Sequence, residues 1–194
     1  MEIIEKNWEG LIQDKIDFIS SINTKPEVIF PGSFNPLHAG HIAMRNHAQR
    51  ILKKDVSYEI CIQNADKPQL SYEAVLVAVK QFTNYPWAIT KAGKFSEKSK
   101  LFPNATFILG IDTLMRIFDE KFYFHKDQMF EELDAFNINN NNFLIFGRES
   151  NGKFKSLENL DVPEHIKDRF SQVSEKDFRY DISSSSLRAN SQVE

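Results

Sequence analysis

At 194 residues the chain is long enough for one domain with a full core, and 41% hydrophobic and 26% charged residues are ordinary for a globular protein. A net charge of −3 offers no general attraction to nucleic acid or an anionic membrane, so any phosphate binding has to come from a few aimed donors. The single cysteine, Cys61, excludes an internal disulfide framework and a thiolate metal cluster, and no apolar stretch approaches the length of a membrane span.

The N-terminus shows no basic region followed by an apolar run, and a cytoplasmic location is expected. Residues 1–25 carry Ile3, Ile4, Trp8, Leu11, Ile12, Ile16 and Ile19 at helical spacing, which predicts a helical extension ahead of a domain spanning 26–194. Val28-Ile29-Phe30 is a continuous apolar run, as expected of a strand covered on both faces. A helix from Ile42 to Lys54 follows, with Met44, Ala48, Ile51 and Leu52 on one face. The alternation of Tyr58, Ile60 and Ile62 predicts a second strand over 57–64, and Cys61 inside it reads as a small core residue. Asp66-Lys67-Pro68 breaks the chain, and Ser71 can cap a helix over Tyr72–Phe82.

Further along, Trp87–Thr90 and Ala105–Leu109 read as strands and Phe95–Phe102 as a short helix. Within that helix, FSEKSK at 95–100 reads as a solvated surface. Asp112 opens the next helix, another spans Lys126–Phe136, and the asparagine run 139–142 is a loop. Phe143–Phe146 and Phe170–Val173 are the last strands, with a turn at Asn151-Gly152 between them. Strands alternating with helices predict an α/β fold: a Rossmann-like doubly wound, mostly parallel sheet with helices on both faces. Ligands of such sheets bind beyond the C-terminal ends of the strands.

That edge is where PGSFNPLHAGH, residues 31–41, falls. Gly32 and Gly40 permit close backbone approach, and Asn35-Pro36 makes a tight turn. His38 and His41 would stand around the first turn of the following helix, where unpaired N–H groups favour anions. Taken bare, a His-x-x-His pair also fits two surface histidines or a metal pair, although no third ligand is evident. His47, two turns into the helix, reads as solvated.

The whole stretch is more specific than its histidines. Residues 32–41 resemble the nucleotidyltransferase signature Gly-[Ser/Thr]-Phe-[Asp/Asn]-Pro-x-His-x-Gly-His, with Asn35 where many relatives carry Asp. Ile182–Arg188 resembles the second signature of that superfamily, Ile-Ser-Ser-[Thr/Ser]-x-[Ile/Leu/Val]-Arg, and Gly110-Ile111-Asp112 resembles the Gly-x-Asp of nicotinate and nicotinamide mononucleotide adenylyltransferases. NADKPQLSYE at 64–73, residues 102–123, FGR at 146–148 and residues 177–188 are similar to a cytidylyltransferase-like branch with CinA-associated and fungal members.

The resemblance implies an enzyme that moves a nucleotidyl group, AMP from ATP, to nicotinamide or nicotinate mononucleotide and releases pyrophosphate. The attacking phosphate is already anionic, so catalysis rests on positioning and charge stabilisation. By resemblance, His41 donates to the α-phosphate, His38 holds oxygens beside it and Arg188 grips the triphosphate as a planar fork. Gly32, Ser33, Phe34, Gly40, Gly110, Asp112, Ser184 and Ser185 are implied on the nucleotide. Asp66, Lys67 and Arg116 are candidates for the second substrate. Trp87 is another, by stacking on a ring, with core packing as the alternative. Mg²⁺ is implied with ATP, held by substrate oxygens and water with no protein side chain required.

The expected partners are ATP and a small phosphorylated acceptor, with no nucleic acid and no membrane; a homo-oligomer is left open. The aromatic segment Phe118–Phe130 reads equally as lid, interface or core. His38 and Arg188 favour the mononucleotide enzymes, because phosphopantetheine adenylyltransferases usually carry Thr and Lys there. That acceptor, a cytidylyltransferase, and an ATP-binding sensor without transfer stay as alternatives.

Overall fold

The computed structural model describes residues 1–63, 68–150 and 152–180. Seven strands form one sheet in the order β1-β4-β3-β2-β5-β6-β9: Phe18–Ser20 (β1), Trp87–Thr90 (β4), Val56–Cys61 (β3), Val28–Pro31 (β2), Thr106–Gly110 (β5), Asn142–Phe146 (β6) and Phe170–Val173 (β9). All neighbours are parallel except β1, which runs antiparallel to β4 along the edge. From β2 the chain steps to β3 and β4 on one side, then crosses back to β5 on the other side of β2 and on to β6. The switch point therefore falls at the C-terminal ends of β2 and β5. The expected doubly wound, mostly parallel α/β sheet is what the chain forms.

Alternation within each strand divides the core. Val28 and Phe30 enter the cluster on one face, with Ala48 of Ala39–Leu52 (α2) and Val75 and Val79 of Tyr72–Lys80 (α3). Ile29 enters the other, with Phe107, Leu109 and the buried sides of Phe95–Leu101 (α4), Ile111–Ile117 (α5) and Lys126–Ile138 (α6). Burial on both sides is why β2, β5 and β6 read as unbroken apolar runs. Among the described residues no helix is long and apolar enough to cross a membrane.

Three features depart from the sequence reading. The N-terminal helix, Glu2–Ile12 (α1), stops early: Asp14 takes φ 55, the chain reverses, and Ile19 joins the core from β1 rather than from a helix. The segment after β6 contains a hairpin, Arg148–Ser150 (β7) with Lys153–Lys155 (β8), around the expected turn. His47 is buried against Phe146 and Phe178 instead of solvated, and burial holds its pKa below the usual imidazole value.

Candidate active site

The first turn of α2 is built by its two histidines. His38, the N-cap, donates its backbone N–H to Nδ1 of His41 at 3.4 Å, which leaves the proton of the neutral His41 ring on Nε2. The two rings stack with centroids 3.7 Å apart and an interplanar angle of 24°. Burial, and then the adjacent His38, push the His41 pKa down to about 4. Burial also lowers that of His38. Both rings are thus neutral near pH 7, and His41 presents an N–H donor without carrying a charge. No acidic residue stands in the first turn, so the α2 N-terminus keeps its partial positive charge.

Aromatic residues support this turn. His41 meets Phe34 edge-on at 5.0 Å and Phe30 at 5.9 Å, and Phe34 packs on Tyr58 at 4.9 Å and Phe82 at 5.4 Å. Phe34 is 2% exposed and sits at φ 43, so its ring belongs to the core beneath the loop. Gly32 is required by that packing: a Cβ there would stand 2.7 Å from Cζ of Phe34. At Gly40 a Cβ would come within 3.1 Å of the His38 ring and 3.2 Å of Tyr180. The sequence reading passed over Gln81, whose side chain clamps the loop. Its Oε1 accepts from Leu37 N at 2.7 Å, and its Nε2 donates to Phe34 O at 3.0 Å.

Pro31, Gly32 and Ser33 of the loop also line a cleft of about 430 Å³, together with Arg116, Phe122 and Tyr123. Its floor holds an ion pair that sequence reasoning missed. Lys98, placed by FSEKSK on a solvated helix, is 4% exposed and Glu59 1%. Nζ of Lys98 donates to Oε1 and Oε2 of Glu59 at 2.7 and 2.8 Å, and Thr90 Oγ1 donates to Oε1 at 2.5 Å. Glu59 also pairs with the signature loop through its backbone, its carbonyl accepting from Gly32 N at 3.0 Å. Lys98 sits on the polar stretch of a short helix, and its partner lies 39 residues away in sequence. Only an acidic residue inside the apolar β3 run hinted at the pair.

The residues singled out in the sequence divide as follows. Gly32, Ser33 and Arg116 line the cleft, while His38, His41, Phe34 and Gly40 sit on the α2 side of the same loop. Asp112 stands in the first turn of α5, just beyond Gly110 at the end of β5, and pairs with Arg148 Nε at 2.6 Å. Trp87 is 8% exposed at the first residue of β4, opposite the ligand edge, so core packing is its role. The aromatic segment splits: Phe118, Tyr123 and Phe130 pack on the core, Phe122 and Tyr123 line the cleft, and Phe124 is 95% exposed. Asp66, Lys67, Ser184, Ser185 and Arg188 lie outside the described residues.

Two solved structures of Plasmodium falciparum nicotinic acid mononucleotide adenylyltransferase are similar to this chain. The one complexed with NaAD is 18% identical with a TM-score of 0.44, covering 84% of this chain and 82% of that one. The one complexed with APC is 15% identical with a TM-score of 0.36, covering 84% and 81%. No curated protein matches the chain significantly. The model of the cytidylyltransferase-like family matches residues 29–190, from β2 through both signature segments, and the chain belongs to that family.

Proposed function

We propose that the protein transfers AMP from ATP to nicotinamide or nicotinate mononucleotide and releases pyrophosphate. The observation that carries this reading is the stacked His38–His41 pair at the start of α2, with His41 held neutral and its Nε2–H free of the backbone contact. Charge grows on the α-phosphate oxygens as the acceptor phosphate attacks, and a donor fixed in advance at that point stabilises the transition state more than the ground state. A neutral imidazole does so without a buried cation that would have to be desolvated.

The triphosphate is assigned to the histidine side of the loop and the acceptor to the cleft beyond Ser33, so that the two phosphates meet over the loop. Tyr180, the last described residue, lies against Gly40. Ser184, Ser185 and Arg188 are assigned to the same triphosphate from their sequence signature. The carboxylates near the cleft are each paired with a cation: Glu59 with Lys98, Glu132 with Lys94, and Asp112 with Arg148. Those pairings fit a Mg²⁺ ion that arrives on the triphosphate and neutralises its charge there.

Pyrophosphate release tests the reading, with Mg²⁺ and either ATP or CTP, against both mononucleotides, phosphopantetheine and small phospho-alcohols. Histidine-dependent release with a mononucleotide is expected, falling about 10²–10³-fold in His41→Ala, the range found when one oxyanion donor is removed. Release confined to phosphopantetheine or a phospho-alcohol would replace the acceptor. ATP binding with no release from any pair would leave a nucleotide sensor.

A further inference from the structure

We infer that Glu59 and Lys98 select the acceptor: the floor of the cleft takes a neutral group that offers one hydrogen-bond acceptor beside one donor, such as a carboxamide, in preference to a carboxylate. The inference rests on the proposed transfer reaction and adds which acceptors it can use. Both side chains line the cleft yet are almost wholly shielded from solvent, so a group reaching the floor meets them in a low-dielectric setting.

The hydrogen-bond inventory sets the choice. Oε1 of Glu59 already accepts from Thr90 and Lys98, and Oε2 accepts only from Lys98. One lone pair of Oε2 and one N–H of the Lys98 ammonium have no partner among the described residues. The acceptor and donor assigned to the floor are thus side by side, with Nζ and Oε2 2.8 Å apart. A carboxamide answers both, its oxygen accepting from Lys98 and its N–H₂ donating to Glu59. A carboxylate answers only Lys98, and its second oxygen is set against the Glu59 carboxylate with no proton between them. The pair is neutral as a unit, so the floor itself offers no net charge to compensate an acid; of the other cations lining the cleft, Lys94 is paired with Glu132 and Arg116 lies over the Phe122 ring at 5.1 Å. The cleft walls suit a flat ring that would carry such a group, since Phe95, Phe122, Tyr123 and Phe136 contribute to them.

The test compares kcat/KM for nicotinamide mononucleotide and nicotinate mononucleotide in the wild type, in Glu59→Gln, and in the double variant Glu59→Gln/Lys98→Met, with thermal melting to confirm that each folds. The wild type is expected to favour the amide at least tenfold. Glu59→Gln turns the Oε2 position into a donor and should abolish or reverse the preference. Should that variant fail to fold around an uncompensated Lys98, the double variant, which leaves no charge at the floor, should bring the ratio near one. Equal use of the two acceptors, or a preference for the acid, in the wild type would overturn the inference and leave the transfer reaction standing. A preference that survives in the folded double variant would also overturn it.

If neither acceptor is turned over, the proposed reaction fails and the floor is read separately by calorimetric binding of the two mononucleotides. Tighter binding of the amide, lost in the double variant, supports the inference; the absence of that difference overturns it.

Discussion

A histidine can act as a cation or as a neutral donor, and the surroundings of His41 select the second. Its ring is stacked on another imidazole and seated on Phe34 and Phe30, so a proton there meets both desolvation and a neighbour that would share the charge. The same shift has a consequence for stability. In the unfolded chain His41 takes up a proton near its ordinary pKa of 6.5, and in the folded chain only near 4. The stability attached to neutral His41 is thus complete above about pH 6.5 and lost as pH falls toward 4, at most about 3 kcal/mol from a shift of that size. Denaturant unfolding at pH 7 and pH 4.5 should show a larger acid loss in the wild type than in His41→Gln. Equal losses would mean that the ring is not held neutral by its site.

At the scale of elements, the signature loop is a short chain segment pinned at several points. Gly32 is tied to β3 by the Glu59 carbonyl, Phe34 is sunk in the aromatic cluster, and Gln81, just past α3, bonds to both Phe34 O and Leu37 N. Gln81→Ala removes the clamp and leaves two partly buried backbone groups unpaired, at about 1–3 kcal/mol for each group that water cannot reach. The expected result is a loss of transfer of tenfold or more with His38 and His41 unchanged in sequence, because loosening the loop misplaces the α2 terminus. Gln81→Glu should recover little, since a carboxylate accepts from Leu37 but cannot donate to Phe34. A variant with normal kcat/KM and reduced stability would show that the clamp serves the fold alone.

At the scale of the molecule, the N-terminal segment is continuous with the sheet. β1 pairs along β4, and Ile4, Leu11 and Ile19 are each 2% exposed or less. Burying three such side chains contributes about 5–9 kcal/mol, comparable with the whole stability of an ordinary domain. Removing residues 1–25 also bares the β4 edge to other chains. A chain beginning at residue 26 should therefore lose its cooperative melting transition or aggregate. Cooperative unfolding near the full-length midpoint would instead make the segment an appendage.

The sequence by itself determined the strand run, the doubly wound arrangement and the nucleotidyl-transfer signature. Each of those is written in local order: continuous apolar runs for strands buried on both faces, and a loop whose glycines and histidines are contiguous. Tertiary structure decided the rest. A helical period in residues 1–25 cannot register the reversal at Asp14, because Ile16 and Ile19 both fit a helix in spacing, whereas Ile16 lies in a bend and Ile19 in β1. Phe34 lies within the signature, yet its ring fills the core, because burial depends on Tyr58 and Phe82 arriving from elsewhere in the chain. Lys98 reads as solvent-facing until β3 brings Glu59 beneath it. A charge is buried or exposed according to its partner, and the partners here are set by how strands and helices pack across the sheet.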